Sequence, residues 1–366
     1  MKKILFGTTA LVAAGMVVGA ASAAEKMKVG VSGYQQLYLM YGSQADNAGE
    51  PAANLRNHGM IKEGEVHFKA STTMDNGIKI GWESELEAES NGTARTNDEN
   101  WIWLSGDFGT VHIGGIWGPS LLMSHNAPGG APGWGDFANL SAAAAPANST
   151  VGGPNTYAAF TFKDSKLSYY SPVIGPGLKV GLSYTPELGS TQNGSQGFTA
   201  DNGAGDFGST YEAALELNTK IGKGSLGAYA VYVKSKLETV TAGAEDRIAW
   251  AMGANLGMGA WSIGAGYKTD NEGVTADSDE KHYGLGGAYS MGPVKYALNY
   301  VAGTDENGGG ALADDVTFLQ ASMAYSWGPG VTLGAGIQNT KWEDGGNVTN
   351  DENNATVVFM GTALSF

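Results

Sequence analysis

The sequence predicts an all-β chain, a 16-stranded antiparallel transmembrane β-barrel with one loop folded inward. Three observations carry this. Apolar and polar residues alternate with a period of two along most of the chain. Short Gly-, Pro- and Asn-rich turns alternate with long polar segments. After the first 23 residues, nothing approaches the ~20 apolar residues that a spanning helix needs.

The alternation is clearest near the C-terminus. Trp261, Ile263, Ala265 and Tyr267 share one face, opposite Ser262, Gly264, Gly266 and Lys268. Val294, Tyr296, Leu298 and Tyr300 share another, and Val331, Leu333, Ala335 and Ile337 a third. The aromatics on the first two faces suit girdles flanking an apolar band of ~25 Å. The last strand runs as VVFMGTALSF to Phe366. Tight turns fall near Asp75-Asn76-Gly77, Gly106-Asp107-Phe108-Gly109, Gly175-Pro176-Gly177, Gly222-Lys223-Gly224, Gly257-Met258-Gly259, Met291-Gly292-Pro293 and Gly328-Pro329-Gly330. Long connections fall at 42–57, 90–98, 117–161, 188–208, 239–245, 270–280, 304–313 and 342–353. Seven short and eight long connections imply sixteen strands, from 28–41 to 354–366. An even count puts both termini on the short-turn side, the bacterial outer-membrane arrangement.

Residues 1–23 read as a secretory signal, with Lys2 and Lys3, an apolar run from Ile4 to Ala20, and the small-x-small end Ala21-Ser22-Ala23. Residues 24–366 are then one barrel domain. Without cysteine, an exported chain must rely on hydrogen bonding and burial. Glycine is 57 of 366 residues, against a usual ~7%. Without Lys2 and Lys3 the balance is 19 basic against 36 acidic residues, a net charge of −17, which argues against nucleic acid as a partner.

A sixteen-stranded barrel encloses an aqueous lumen. The segment 117–161 is far longer than an ordinary connection and is the candidate constriction loop. Its apolar anchors are Leu121, Leu122, Trp134 and Phe137; Asp136 is its one fixed charge and His125 its titratable group. Alternation puts Glu63, Glu65, His67 and Lys69 on the lumen face of the second strand, and Lys79, Glu83, Glu85 and Glu87 on that of the third. A turn pairing Met74 with Ile78 sets Lys69 opposite Glu83, His67 opposite Glu85, and Glu65 opposite Glu87. The last pair costs ~1 kcal/mol or less in a wet lumen. A one-residue slip would turn each carboxylate to lipid at ~2 kcal/mol or more, so the register stands. This wall is net acidic and predicts weak cation selectivity, weak because the Debye length of ~8 Å is comparable to a pore radius. Lys166, Lys179, Lys234, Lys236, Arg247 and Lys268 are candidates for the opposite wall.

Three stretches resemble a Gram-negative general porin of the alphaproteobacterial type. They are Trp101-Ile102-Trp103-Leu104-Ser105-Gly106-Asp107-Phe108-Gly109-Thr110-Val111, the hairpin Asp164–Pro172 with Gly177–Tyr184, and the closing strand, whose terminal Phe366 is similar to the assembly signature of outer-membrane barrels. The close match covers about 40 residues. The resemblance implies an outer-membrane homotrimer passing small hydrophilic solutes by diffusion across a transverse field, with lipid, lipopolysaccharide and the barrel assembly machinery as partners. Gly114-Gly115-Ile116-Trp117 departs from the Arg-Gln that relatives often carry after the fifth strand.

No cofactor is expected. The outer-loop acids Glu272, Asp277, Asp279, Asp305, Glu306, Asp314, Asp315, Glu343, Asp344, Asp351 and Glu352 serve solubility, or bridge divalent cations to lipopolysaccharide; none lies in a calcium-loop pattern. The histidines His58, His67, His112, His125 and His282 show no paired metal spacing. There is no G-x-S-x-G or P-loop run, so an enzyme is not expected. The alternative is a solute-specific channel, with Trp117, Trp134 and Tyr157 as an aromatic ladder for sugar. A barrel enzyme or a soluble adhesin ranks below it.

Overall fold

The computed structural model describes residues 26–44, 56–88, 97–129, 155–189, 203–274, 279–306, 313–344 and 352–366. The expected signal segment lies outside them. Sixteen strands follow in order: β1 Lys28–Gln44, β2 His58–Thr73, β3 Lys79–Glu87, β4 Asn97–Gly106, β5 Gly109–Gly115, β6 Ser165–Tyr170, β7 Leu178–Glu187, β8 Phe207–Ile221, β9 Gly224–Leu237, β10 Arg247–Met258, β11 Trp261–Asp270, β12 Glu280–Met291, β13 Val294–Asp305, β14 Asp314–Gly328, β15 Val331–Asp344 and β16 Asn353–Ser365. One short helix, α1 (Pro119–Leu122), follows β5. No helix among the described residues is long and apolar enough to cross a membrane.

Each strand pairs antiparallel with its chain neighbours, and β1 pairs with β16, closing the barrel. At the seam Gly33 N–H donates to Phe366 O at 2.9 Å, and Phe366 N–H to Gly33 O at 3.0 Å. Closure leaves no free sheet edge, so the strand backbones find their partners within the sheet, apart from register shifts in the β3–β4, β8–β9 and β14–β15 ladders.

The period of two sorts side chains as expected. Met252, Ile263, Leu285, Leu298 and Leu319 are exposed on the outside, while Ala251, His282, Asn299 and Gln320 are buried toward the inside. Rings pair along the outer face: Trp261 with Tyr289 at 4.5 Å between centroids, Trp250 with Tyr267 at 5.1 Å, and Tyr184 with Tyr211 at 5.2 Å. Tilted arrangements of this kind suit the ring quadrupoles.

Between β2 and β3 the Met74 N–H donates to Ile78 O at 2.8 Å. Gly77, at φ +82°, takes the left-handed position that this turn requires. The resulting register is Lys69 opposite Glu83, His67 opposite Glu85, and Glu65 opposite Glu87.

Three expectations need correction. Lys234 and Lys236 share the outward face of β9 with exposed Tyr232, because Val233, Ser235 and Leu237 take the inward positions and are buried. Lys234 instead pairs with Asp246, 3.0 Å away. Asp305 and Asp314 are not outer-loop acids: they end β13 and begin β14, face each other across the ladder, and are buried. β4 begins at Asn97 rather than 99, and β6 at Ser165 rather than 162, since residues 160–163 form turns.

Candidate functional site: the inward loop and the acidic wall

After β5 the chain turns into the barrel. Just before this turn Gly114, at φ +137°, lies close against β4: an added Cβ would lie 2.4 Å from Asn100 O. A larger residue there would collide with β4.

Two buried charges hold the roots of the loop. Glu212 on β8 accepts the Ser120 backbone N–H at 3.0 Å through Oε2, and the Thr161 hydroxyl at 2.7 Å through Oε1. One carboxylate thus binds the outgoing and the returning limb. Lys166, 3% exposed, donates to Ile116 O and Phe162 O, both at 2.6 Å. Lys166 therefore does not present its charge to the lumen as the sequence suggested; its ammonium is spent on loop carbonyls. Sequence reasoning missed Glu212 altogether. A single inward carboxylate on an alternating strand carries no local mark, and only the loop's path gives it a role.

From α1 the loop runs along the inside of β7 to β13. Met123, 3% exposed, packs over Gly181 of β7. His125 Nε2 lies 2.9 Å from Glu216 Oε1. Asn255 Nδ2 donates to Asn126 O at 3.0 Å and Asn299 Nδ2 to Pro128 O at 3.2 Å. On the return, Tyr229 OH donates to Thr156 O at 2.7 Å. Arg247 lies over the Phe160 ring at 4.4 Å and makes paired hydrogen bonds to Asp270 at 3.0 and 2.7 Å. Lys268 pairs with Glu280 at 2.7 Å. Arg247 and Lys268 are thus each matched by a carboxylate. Trp134, Asp136 and Phe137 lie outside the described residues.

The other wall differs. Glu63, Glu65, Glu83, Glu85 and Glu87 from β2 and β3 share their face with Lys69 and Lys79. Lys69 pairs with Glu83, and His67 lies 2.7 Å from Glu65 and 3.3 Å from Glu85. A β-bulge adds to this wall. Glu85 pairs with Glu99 but Leu86 with Asn97, so Asp98 is the extra residue. Bulges re-aim side chains, and Asp98 here joins Glu65 and Glu87, their carboxylate oxygens within 4.8 Å of one another. Lys163, at the root of the returning limb, pairs with Asp98 and stands 3.8 Å from Glu99. Burial disfavours the Lys163 ammonium, but the hydrogen bond and charge of Asp98, with Glu99 and Glu65, raise its pKa above the usual lysine value. It stays charged. Glu65, His67 and Glu85 also bring a ring nitrogen and two carboxylate oxygens within 4.8 Å of one another. Spacing along the chain does not show this trio; the cross-strand register assembles it.

A closed barrel whose lumen is narrowed by a loop pinned to one wall, opposite a dense row of charge, is a diffusion channel. The chain belongs to the Gram-negative porin family, whose profile matches residues 7–345. It is therefore an outer-membrane channel for passive diffusion and not an enzyme. Among solved structures it is similar to an anion-selective porin from Comamonas acidovorans, at 17% identity and TM-score 0.64, covering 93% of this chain and 100% of that one. It is similar to the outer membrane channel DcaP of Acinetobacter baumannii, at 15% identity and TM-score 0.58, covering 96% and 100%. The trimer form of OmpT from Vibrio cholerae matches at 14% identity and TM-score 0.57, covering 93% and 100%. No curated protein matches the chain.

Proposed function

We propose that this porin passes small hydrophilic solutes with a weak preference for cations. The observation that carries this is the unequal balance of the two walls. Around β2–β4 seven carboxylates (Glu63, Glu65, Glu83, Glu85, Glu87, Asp98 and Glu99) stand with three lysines (Lys69, Lys79 and Lys163). On the other side Arg247 and Lys268 are each matched by a carboxylate, and Lys166 is buried. That side also carries Glu212 and Glu216, so the lumen is acidic on both sides and the field is most negative at the β2–β4 wall, where the carboxylates are most crowded.

The test is the reversal potential of the purified protein in a planar bilayer under a KCl gradient. A modest cation-selective potential supports the reading. An anion-selective potential, as the name of the Comamonas acidovorans relative reports for that protein, would defeat it.

The sugar-ladder alternative loses ground. Trp117 packs at a tilt against Phe162, with centroids 5.9 Å apart, and lies under Lys163. These contacts leave it poorly placed as a rung, and Trp134 lies outside the described residues. Current that rises linearly with solute, without saturation, is the expected behaviour.

The assembly proposed with this function is a homotrimer in the outer membrane, surrounded by lipid and lipopolysaccharide. Phe366 is the proposed signal to the assembly machinery and residues 1–23 the proposed export signal. The exposed Phe366 side chain at the barrel seam suits that role. No resident cofactor is required. The outer-loop acids are read as solvating groups, and bridging of divalent cations to lipopolysaccharide is their alternative role.

A further inference from the structure

The wall beneath the loop is built from glycine and asparagine in an ordered pattern. One rung of the sheet reads Gly227, Asn255, Gly264, Gly286, Asn299 across β9 to β13, each residue the register partner of the next. The rung above it carries Tyr229, Gly253 and Gly266 on β9 to β11. The asparagines and the tyrosine donate to loop carbonyls at Asn126, Pro128 and Thr156. The glycines stand where the loop comes closest. An added Cβ at Gly253 would lie 2.3 Å from His125 O, and one at Gly264 2.6 Å from Asn126 O. At Gly227 it would lie 2.4 Å from the His125 ring. At Gly266 it would lie 2.4 Å from Asn126 Oδ1 and 2.6 Å from Thr156 Oγ1.

Glycine within a strand weakens the strand, and where it recurs it marks the close approach of another backbone. Here that backbone belongs to the chain's own loop, and the neighbouring side chains pull the loop down while the glycines let it sit low.

We propose that this two-rung seat sets the clearance of the channel, making Gly227, Gly253, Gly264 and Gly266 size-determining positions that act through the loop. They touch no solute. They fix how far the loop stands from the β8–β13 wall, and therefore how much of the lumen it leaves open toward the acidic wall. The inference rests on the diffusion function of the family and is independent of the sign of selectivity.

The experiment measures single-channel conductance, and the cutoff for neutral polyethylene glycols, in refolded Gly253→Ala and Gly266→Ala. Ordinary carbon contacts begin near 3.4 Å, so the methyl at Gly253 must lift the loop backbone by about 1 Å, and that at Gly266 by about 0.5 Å, set by the Thr156 Cβ at 2.9 Å. Taken from an aperture on the order of 10 Å, this lowers conductance by roughly a tenth to a fifth and reduces the cutoff. Gly287→Ala, which faces outward with its nearest neighbour 3.5 Å away, should behave as wild type. The Gly266 clash is with side-chain atoms, the Thr156 Cβ at 2.9 Å included, so Gly266→Ala combined with Asn126→Ala and Thr156→Gly should regain the wild-type cutoff. That variant also supplies the test if Gly253→Ala does not refold. Unchanged or larger conductance in Gly266→Ala, or failure of the triple variant to recover, would overturn the proposal. Absence of any channel from refolded wild-type barrel would instead strike at the diffusion reading.

Discussion

Lys166 donates from Nζ to the carbonyl oxygen of Ile116 at 2.6 Å, and from the same ammonium to Phe162 at 2.6 Å. One buried charge therefore joins the two ends of a long loop. Lys166→Met keeps the length of the side chain and removes every donor. The stranded carbonyls and the lost charge-assisted bonds cost ~1.5–3 kcal/mol each in other settings, while the relief of a buried charge returns part of this. A net loss of ~1–3 kcal/mol is expected, seen as a lower temperature for the gel shift between folded and unfolded barrel. Open-channel noise should rise, because the loop root is freed. A variant with the wild-type transition and quiet currents would show that Glu212 and the wall contacts secure the loop without Lys166.

The acidic wall predicts a response to both charge and salt. Glu65→Gln together with Glu85→Gln removes the two carboxylates that flank His67. The cation-selective reversal potential should fall toward zero with little change in conductance. In the wild type the preference should also fade between 0.1 and 1 M salt, as the Debye length drops from ~10 to ~3 Å. Selectivity that survives in the double variant would move the determinant to residues outside this wall.

The barrel was legible because its physics is local. Alternation, turn chemistry and the count of connections rest on neighbours in the chain, and the β2–β3 register followed from the cost of turning glutamates to lipid. The site was legible only where strand parity decided it. Parity misplaced Lys234 and Lys236, because no apolar neighbour on β9 distinguishes the two faces: Val231 and Val233 point inward against the loop, as apolar as the outward Tyr232. Lys166 was placed on the correct face and given the wrong role, since its partners are carbonyls 4 and 50 residues away. By sequence Asp98 falls in the connection 90–98, whereas β4 begins at Asn97 and a bulge without a mark in the sequence turns Asp98 to the wall.

That bulge yields a sharper test. Asp98→Asn removes one carboxylate and leaves Lys163 with Glu99 at 3.8 Å as its remaining paired acid. Because Asp98 is a principal reason the Lys163 pKa is raised, the ammonium is released toward the lumen without becoming neutral at pH 7. The reversal potential should move further toward anions than in Glu63→Gln, although each variant deletes one negative charge. Equal shifts would mean that Lys163 stays sequestered over the Trp117 ring, 5.5 Å from its centroid.

Glu272, in the connection after β11, provides a pH dependence outside the membrane-spanning strands. Burial first, then the charges of Asp305 and Glu280, push its pKa up to about 7, against the opposing pull of Arg247. The folded protein thus holds this proton to higher pH than the unfolded chain, whose glutamate titrates near 4.5. Its contribution to stability is complete below pH 4.5 and is lost as the pH rises through about 7. Partial exposure screens the effect, so ~1 kcal/mol is the expected scale. Glu272→Gln should match the wild type at pH 4 and exceed it in thermal stability at pH 8. Its backbone N–H donates to Asp270 Oδ1 at 2.9 Å and does not depend on the side chain, so the loop geometry should persist in the variant. Amide exchange in residues 271–274 should accelerate between pH 5 and 8 in the wild type, beyond the intrinsic base dependence, and the excess should vanish in Glu272→Gln. An excess that remained would assign the titration to another group in the cluster.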